Sequence, residues 1–572
     1  MWYAIDRLDR DVREGLAATG LVPDALLAVE SPKADIEADL TFAAFRVARE
    51  RGVSPPQLAG EIAASLSFEP ESLASEVVAA GPYVNISVDP GRFVTAVLAD
   101  VTRLGDAYGH DDTGAGRTVV VDYSSPNVAK RMHVGHIRST IIGQALSNIL
   151  AALGYRVVRD NHIGDWGKSF GVLLAAIDRE GYPAGAGEAL LAALEDLYAR
   201  ASALAAQDPV VDAAARDWSL RLEQGDEDAR RIWQEIVDLT LRINQTSYDR
   251  LGVMFDHVYG ESFYEPMLAD VIRDALASGD AMRDESGAVV VDAGDGLPTF
   301  LLQRSDGGTL YHTRDVATAR FRVQTFQPAR IIYVIGAPQE LYLRQLFALV
   351  RLMGDSEGVE LVHVPFGTVF DTSGHALSTR RGNMVYLETL LDEAHQRARA
   401  LIDASAPELD ERERDAIAEV VGLGAVIYND LHQGPRRNIT LDWDRMLALD
   451  GNSAPYVQYM HARCCSILRR AGGNVPEHDL SLLTHPSELA LVKQLAKLPL
   501  AVREAGSELS PQTVANWCYE TARALAAFYR DCHVLNAESD DLRAARLALV
   551  QATAQCVRNG LGLLGIGAPE RL

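Results

Sequence analysis

The chain lacks any apolar run long enough to cross a bilayer. Its opening, Met1-Trp2-Tyr3-Ala4-Ile5-Asp6-Arg7, brings in charge at once where a secretory leader would have an apolar core. A cytoplasmic protein with no membrane partner is expected. Cysteine is scarce: five residues among 572, Cys464, Cys465, Cys518, Cys532 and Cys556, all in the last quarter and without C-x-x-C spacing. That excludes a disulfide framework and a cysteine zinc site, and leaves reduced, mostly buried side chains. Repeats and low-complexity tracts are absent, so domain boundaries must be read from punctuation. Positive charge is in deficit, 54 Lys and Arg against 79 Asp and Glu, a net charge of −25. Indiscriminate nucleic-acid binding, which phosphate neutralisation drives, is thereby disfavoured. A local basic track, with Arg436, Arg437, Arg463, Arg469, Arg470, Lys493 and Lys497 as candidates, is still available.

A 48% hydrophobic content over this length supports three or four domains at most. Before about Gly116, helical patterns (Leu40 to Arg51, Pro56 to Leu66) accompany a strand-like segment, Tyr83 to Val88. From Arg117 to about Leu391, strand-like runs (Thr118 to Val121, Val157 to Arg159, Thr299 to Leu302, Ile331 to Ile335, Val362 to Val364) alternate with helical stretches. That alternation predicts a doubly wound parallel sheet. A charged helical pattern between about Arg179 and Leu251 reads as an insertion, and after Ala394 every apolar pattern is helical.

The most telling stretch is Ser124-Ser125-Pro126-Asn127-Val128-Ala129-Lys130-Arg131-Met132-His133-Val134-Gly135-His136. It follows the β-branched run Thr118 to Val121 and enters a helix whose apolar positions include Ile137, Ile141, Ile142, Ala145, Ile149 and Leu150. A helix N-terminus offers unpaired N–H donors and a positive dipole end, and Gly135 admits close approach of a ligand. The pattern points to chemistry on nucleotide phosphates, with both histidines aimed at one place. A second element, Gly374-His375-Ala376-Leu377-Ser378-Thr379-Arg380-Arg381-Gly382-Asn383, lies between a strand-like run and a helical pattern. Phosphoryl transfer develops charge that cations such as Arg380 and Arg381 stabilise.

Together these stretches resemble the signatures of the class I aminoacyl-tRNA synthetases, in the form S-x-P-N-x-x-K-x-x-H-x-G-H with S-T-R-x-G-N that is typical of arginyl-tRNA synthetases. The resemblance covers nearly the whole chain. It implies a multidomain α/β protein: an α+β N-terminal domain (1–115) that meets the tRNA elbow; a Rossmann-like, doubly wound catalytic domain (116–395) with a helical insertion at about 180–250; and an all-α anticodon-binding domain (396–572). The activity it implies is ATP- and magnesium-dependent activation of L-arginine and transfer to the 3′ end of tRNA-Arg, by a monomer with no protein metal site. In this reading His133, His136, Lys130, Arg380 and Arg381 are catalytic. Lys130 compensates for the usual loop lysine, whose place Thr379 takes. Gly135, Ser378, Thr379 and His162 meet ATP. Ser125, Asn127, Glu261, Tyr311, Asp315 and Gln339 hold arginine. Asn85, Tyr456, Tyr459 and Tyr529 meet tRNA, the tyrosines by stacking on splayed bases. The family commonly requires bound tRNA even for activation, and the ending Leu564 to Leu572 matches its terminus, so a complete chain is expected.

Two rival readings stay open on sequence. A paralogue of the same fold would pass activated arginine to another acceptor, and a non-catalytic relative would bind tRNA only. Weak tRNA binding with retained activation favours the first; absence of ATP binding favours the second.

Overall fold

The computed structural model describes residues 2–32, 36–294, 296–377 and 385–572. The expected site residues Ser378, Thr379, Arg380 and Arg381 lie outside the described residues.

In the N-terminal region the helix Ala4–Ala18 buries Ala4, Leu8, Val12 and Leu16, one residue per turn. Beside it stands an antiparallel sheet in the order Val29–Glu30, Leu40–Ala43, Tyr83–Val88, Ala74–Ala80. Leu40 to Arg51 is therefore not one helix: Leu40–Ala43 pairs with Tyr83–Val88, and the helix begins at Phe45. Tertiary pairing overrides a helical pattern where β-branched and aromatic Thr41 and Phe42 meet a partner strand. The strand Ala74–Ala80 was not expected, because its mostly exposed positions leave no apolar alternation to read. The turn between the hairpin strands requires φ near +58° at Gly81, a conformation glycine adopts without strain.

The central sheet is all parallel, in the order Glu360–Phe366, Arg330–Gly336, Thr118–Asp122, Arg156–Asp160. Val119, Val120 and Val121 are all buried, as a strand covered on both faces demands. The fifth expected strand, Thr299 to Leu302, belongs elsewhere. Phe300–Gln303 pairs antiparallel in a separate sheet with Val289–Val291, which pairs with Met282–Arg283. Their short connections suit hairpins, whereas a parallel pairing needs a long crossover.

The helix Val134–Ala152 is buried on nearly every side because it lies between the parallel sheet and the C-terminal helices. Burying each Ile or Leu along it stabilises the fold by about 1.5–3 kcal/mol relative to exposure. Arg138, in its first turns, is fully buried and makes a two-pronged ion pair with Asp430, at 2.8 and 2.9 Å. The helices Lys168–Glu180, Gly187–Ala205, Pro209–Glu223 and Glu227–Leu251 form their own core, which takes in Val128 and Ala129 of the histidine-bearing loop. The helix Leu387–Ser405 runs through residue 395, and helices follow to Leu563. One short exception to the all-helical expectation is Ile439–Thr440, which pairs with Val369–Phe370. All five cysteines are free, and four are buried. Among the described residues no helix is long and apolar enough to cross a membrane.

Candidate active site

A cavity of about 620 Å³ opens at the carboxyl ends of Thr118–Asp122 and Arg330–Gly336. Chain order reverses between these neighbouring strands, and ligand crevices of doubly wound sheets form at such a switch point. His133, Gly135, His136, Ser125, Asn127, His162, Glu261, Tyr311, Asp315 and Gln339 all line it. Of the expected ligand-contacting residues that the structure describes in this region, Lys130 alone is turned aside.

At one end His133 caps the helix Val134–Ala152. Its Nδ1 accepts the Gly135 N–H at 3.0 Å, and the His136 Nδ1 accepts the His133 N–H at 3.2 Å. With each Nδ1 committed as an acceptor, the remaining proton sits on Nε2 in both rings. The rings lie 4.0 Å apart. Burial, and after it the neighbouring ring and Lys130, push the His136 pKa down to about 3; burial and Lys130 lower that of His133. Both are therefore neutral N–H donors at pH 7. Ser124, Ser125 and Ala129 adopt φ of +74°, +48° and +62°, which costs roughly 1–2 kcal/mol per residue. Surrounding bonds hold them there: Ser124 N–H to Ser139, Ser125 N–H to Asn161 and Ala129 N–H to Thr240. Asn127 pairs with Gly164 in a bridge that joins the loop to the Asn161-to-Gly167 segment.

At the other end the carboxylates gather. The Asp165 carboxylate accepts the Ser262 N–H at 2.9 Å, and a Cβ at Gly260 would overlap it, so glycine is needed there. This contact places Glu261 at the cavity wall. Burial raises the Glu261 pKa to about 7, against the pull of Arg314, whose Nη1 lies 3.4 Å from its Oε2. His162 Nε2 stands 3.6 Å from Asp315 Oδ1, and its Nδ1 meets the Tyr259 carbonyl at 3.1 Å. Burial alone would lower the His162 pKa, but Asp315 overcomes it and lifts the value to about 9. Burial works against the Asp315 carboxylate as well, yet His162 and the Tyr342 hydroxyl hold its pKa below the usual value.

Sequence reasoning gave no site role to four residues here. Arg314 pairs with Glu261, Tyr342 donates to Asp315, Arg138 lines the cavity, and the fully buried Arg322 lies 2.8 Å from both Asp122 and Asp160. One signal was available. Tyr311, Asp315, Thr318 and Arg322 recur at steps of four, three and four along the helix Tyr311–Phe326, a polar stripe, and all four line the cavity.

The expected RNA contacts divide. Asn85 lies largely buried in its strand, where its Oδ1 accepts the Thr41 hydroxyl at 2.9 Å. Tyr529 packs inward with its hydroxyl 3.1 Å from Cys464 Sγ, and the Tyr456 hydroxyl reaches the Ala522 carbonyl at 3.5 Å. Tyr459 is exposed.

Comparison with known proteins gives consistent matches along the chain. The family described as arginyl tRNA synthetase N terminal domain matches residues 6–88. Residues 94–443 match tRNA synthetases class I (R), catalytic domain, and residues 457–572 match the DALR anticodon binding domain. The arginine–tRNA ligase of Chloroflexus aggregans is 59% identical over 575 residues, covering 100% of both chains. That of Lactococcus lactis subsp. lactis is 39% identical over 95% of each. The arginyl-tRNA synthetase of Thermus thermophilus superposes with a TM-score of 0.81 at 25% identity, over 99% of this chain and 100% of that one. For the Plasmodium falciparum arginyl-tRNA synthetase the TM-score is 0.80 at 23% identity, over 99% of each, a likeness of fold.

Proposed function

We propose, from the premise that this chain belongs to the class I arginyl-tRNA synthetases, a division of labour between the two ends of its cavity. The reaction is ATP-dependent activation of L-arginine to arginyl-adenylate, followed by transfer to the 3′ end of tRNA. Glu261 and Asp315 receive the substrate guanidinium, a rigid fork that needs planar acceptors. Tyr311 and Gln339 close around it, and Ser125 and Asn127 hold the α-amino and carboxylate groups.

In activation an arginine carboxylate oxygen bonds to the α-phosphorus of ATP while the bond from that phosphorus to the bridging oxygen of pyrophosphate breaks. His133 and His136 donate from Nε2 to the phosphoryl oxygens, and Gly135 lets the His133 ring fold over the helix start, where a Cβ would overlap it. Preorganised N–H donors suit this place because negative charge builds on the phosphoryl oxygens they face. Lys130, Arg380 and Arg381 add positive charge, Ser378 and Thr379 meet the nucleotide, and His162 lies near the adenylate. Magnesium arrives with ATP, where it would neutralise phosphate charge. In the second step a ribose hydroxyl of the tRNA terminus attacks the adenylate carbonyl and AMP leaves. The three matched regions correspond to elbow-binding, catalytic and anticodon-binding parts of a monomer, with Tyr459 as the aromatic best placed for the anticodon stem and loop.

The observation that carries this reading is that one cavity is lined both by two neutral histidine donors at a helix N-terminus and by the Glu261 and Asp315 carboxylates. The test is charging of bulk tRNA with labelled arginine, ATP and magnesium, run beside lysine and glutamine. Acid-stable counts with arginine alone are expected. Failure of the folded protein to charge tRNA, with arginine activation retained, would move the reading to another acceptor.

A further inference from the structure

Lys130 does not point into the cavity. Its Nζ lies 4.8 Å from the centroid of the Tyr198 ring, on the insertion helix Gly187–Ala205. Among the described residues no carboxylate is within ion-pair distance of it. Yet one stands a single turn away on the same helix: Glu195, three residues before Tyr198. Glu195 is already committed. Its Oε2 accepts from Arg131 Nε at 2.9 Å and lies 3.5 Å from the Tyr386 hydroxyl. The Arg131 guanidinium also lies 3.6 Å from the centroid of the Tyr386 ring and donates to its hydroxyl. Tyr386 in turn bridges to His133, and the Val134 N–H donates to the Val385 carbonyl at 2.9 Å. The insertion helix thus grips consecutive residues of the histidine-bearing loop by different means, an aromatic face for Lys130 and a carboxylate for Arg131.

The difference bears on the chemistry. A lysine paired with a carboxylate brings no net charge to a phosphate, and the carboxylate would repel ATP. An aromatic face attracts an ammonium without neutralising it, a hold worth roughly two- to thirtyfold in population. We propose that Tyr198 is a positioning residue for arginine activation: its ring holds Lys130 uncompensated within reach of His133 and His136, while Arg131 occupies the carboxylate that would otherwise capture the lysine. The proposal rests on the reading of Lys130 as a catalytic cation.

The test measures single-turnover charging at saturating ATP, arginine and tRNA, with melting temperature as the check on folding. Tyr198→Leu is expected to slow the rate about tenfold with the arginine KM unchanged. Tyr198→Phe, which keeps the ring, should restore the rate to within about twofold. Arg131→Gln should slow it by a similar factor by freeing Glu195. Neither Tyr198→Leu nor Arg131→Gln should slow Lys130→Ala further, because both act through the lysine. A Tyr198→Leu rate equal to that of the unaltered protein, a Tyr198→Phe rate as low as that of Tyr198→Leu, or additivity with Lys130→Ala would each overturn the proposal. Near-normal charging by Lys130→Ala would instead show that the underlying reading of the lysine had failed, and the proposal with it.

Discussion

The cavity uses histidine at both ends and puts it in opposite charge states. At the phosphate end the Nδ1 atoms of His133 and His136 accept backbone N–H groups, and burial keeps both rings neutral. At the arginine end His162 faces the Asp315 carboxylate at 3.6 Å and stays protonated up to about pH 9. Burial works against the cation in all three rings, and the Asp315 carboxylate overrides it at His162. Each state suits its end. Neutral N–H donors stabilise the negative charge growing on the phosphoryl oxygens, while a cation beside Asp315 and Glu261 lets two carboxylates share a wall before arginine arrives.

The comparison breaks most sharply at the phosphate end. His136→Ala should slow arginyl-adenylate formation on the order of 10²–10³-fold, since it removes one preorganised donor, and should leave the arginine KM nearly unchanged. Single-turnover charging with ATP and arginine both saturating reads this directly. At the arginine end the split reverses: Glu261→Gln and Asp315→Asn should each raise the arginine KM by about 1.5–3 kcal/mol, roughly ten- to hundredfold, with a smaller change at saturation. Unchanged arginine use by both variants would remove the pocket assignment.

A smaller effect follows from Glu261, whose pKa of about 7 means that half the empty sites carry a proton near neutrality. Arginine needs the carboxylate, so binding releases that proton. Affinity should therefore rise up to about tenfold per pH unit below 7 and flatten above it, and Glu261→Gln should abolish the dependence. The smallest shift concerns Arg314, which pulls the Glu261 pKa downward. In Arg314→Ser the inflection of arginine KM against pH should move above 7, and an inflection that stays put would show that the 3.4 Å pair is not felt.

Legibility in the sequence followed distance along the chain. Ser124 to His136 could be read because strand, loop, glycine and helix start are contiguous, and the rings cap that helix from within three residues. Glu261, Asp315 and Gln339 came only through resemblance, since nothing local distinguishes a pocket acid from a helix-starting one. Arg322 was missed because its partners Asp122 and Asp160 lie 200 and 162 residues away, and Arg138 because Asp430 is 292 residues distant. Asn85 came only through resemblance as well, and its hydrogen bond to Thr41, 44 residues away, could not be read locally. Leu40–Ala43 was misread as helix because its partner strand lies some forty residues on.

The charge states of the histidines can be measured without reference to turnover. In protein carrying ¹⁵N-labelled histidine, with His133, His136 and His162 assigned by substitution, the imidazole nitrogen shifts report both tautomer and protonation. The account predicts that His136 remains neutral with its proton on Nε2 down to pH 5, that His133 does so at pH 6.5 and above, and that His162 stays cationic through pH 8. A His136 that titrates near 6.5, or that carries its proton on Nδ1, would contradict the claim that neutral Nε2 donors face the phosphate.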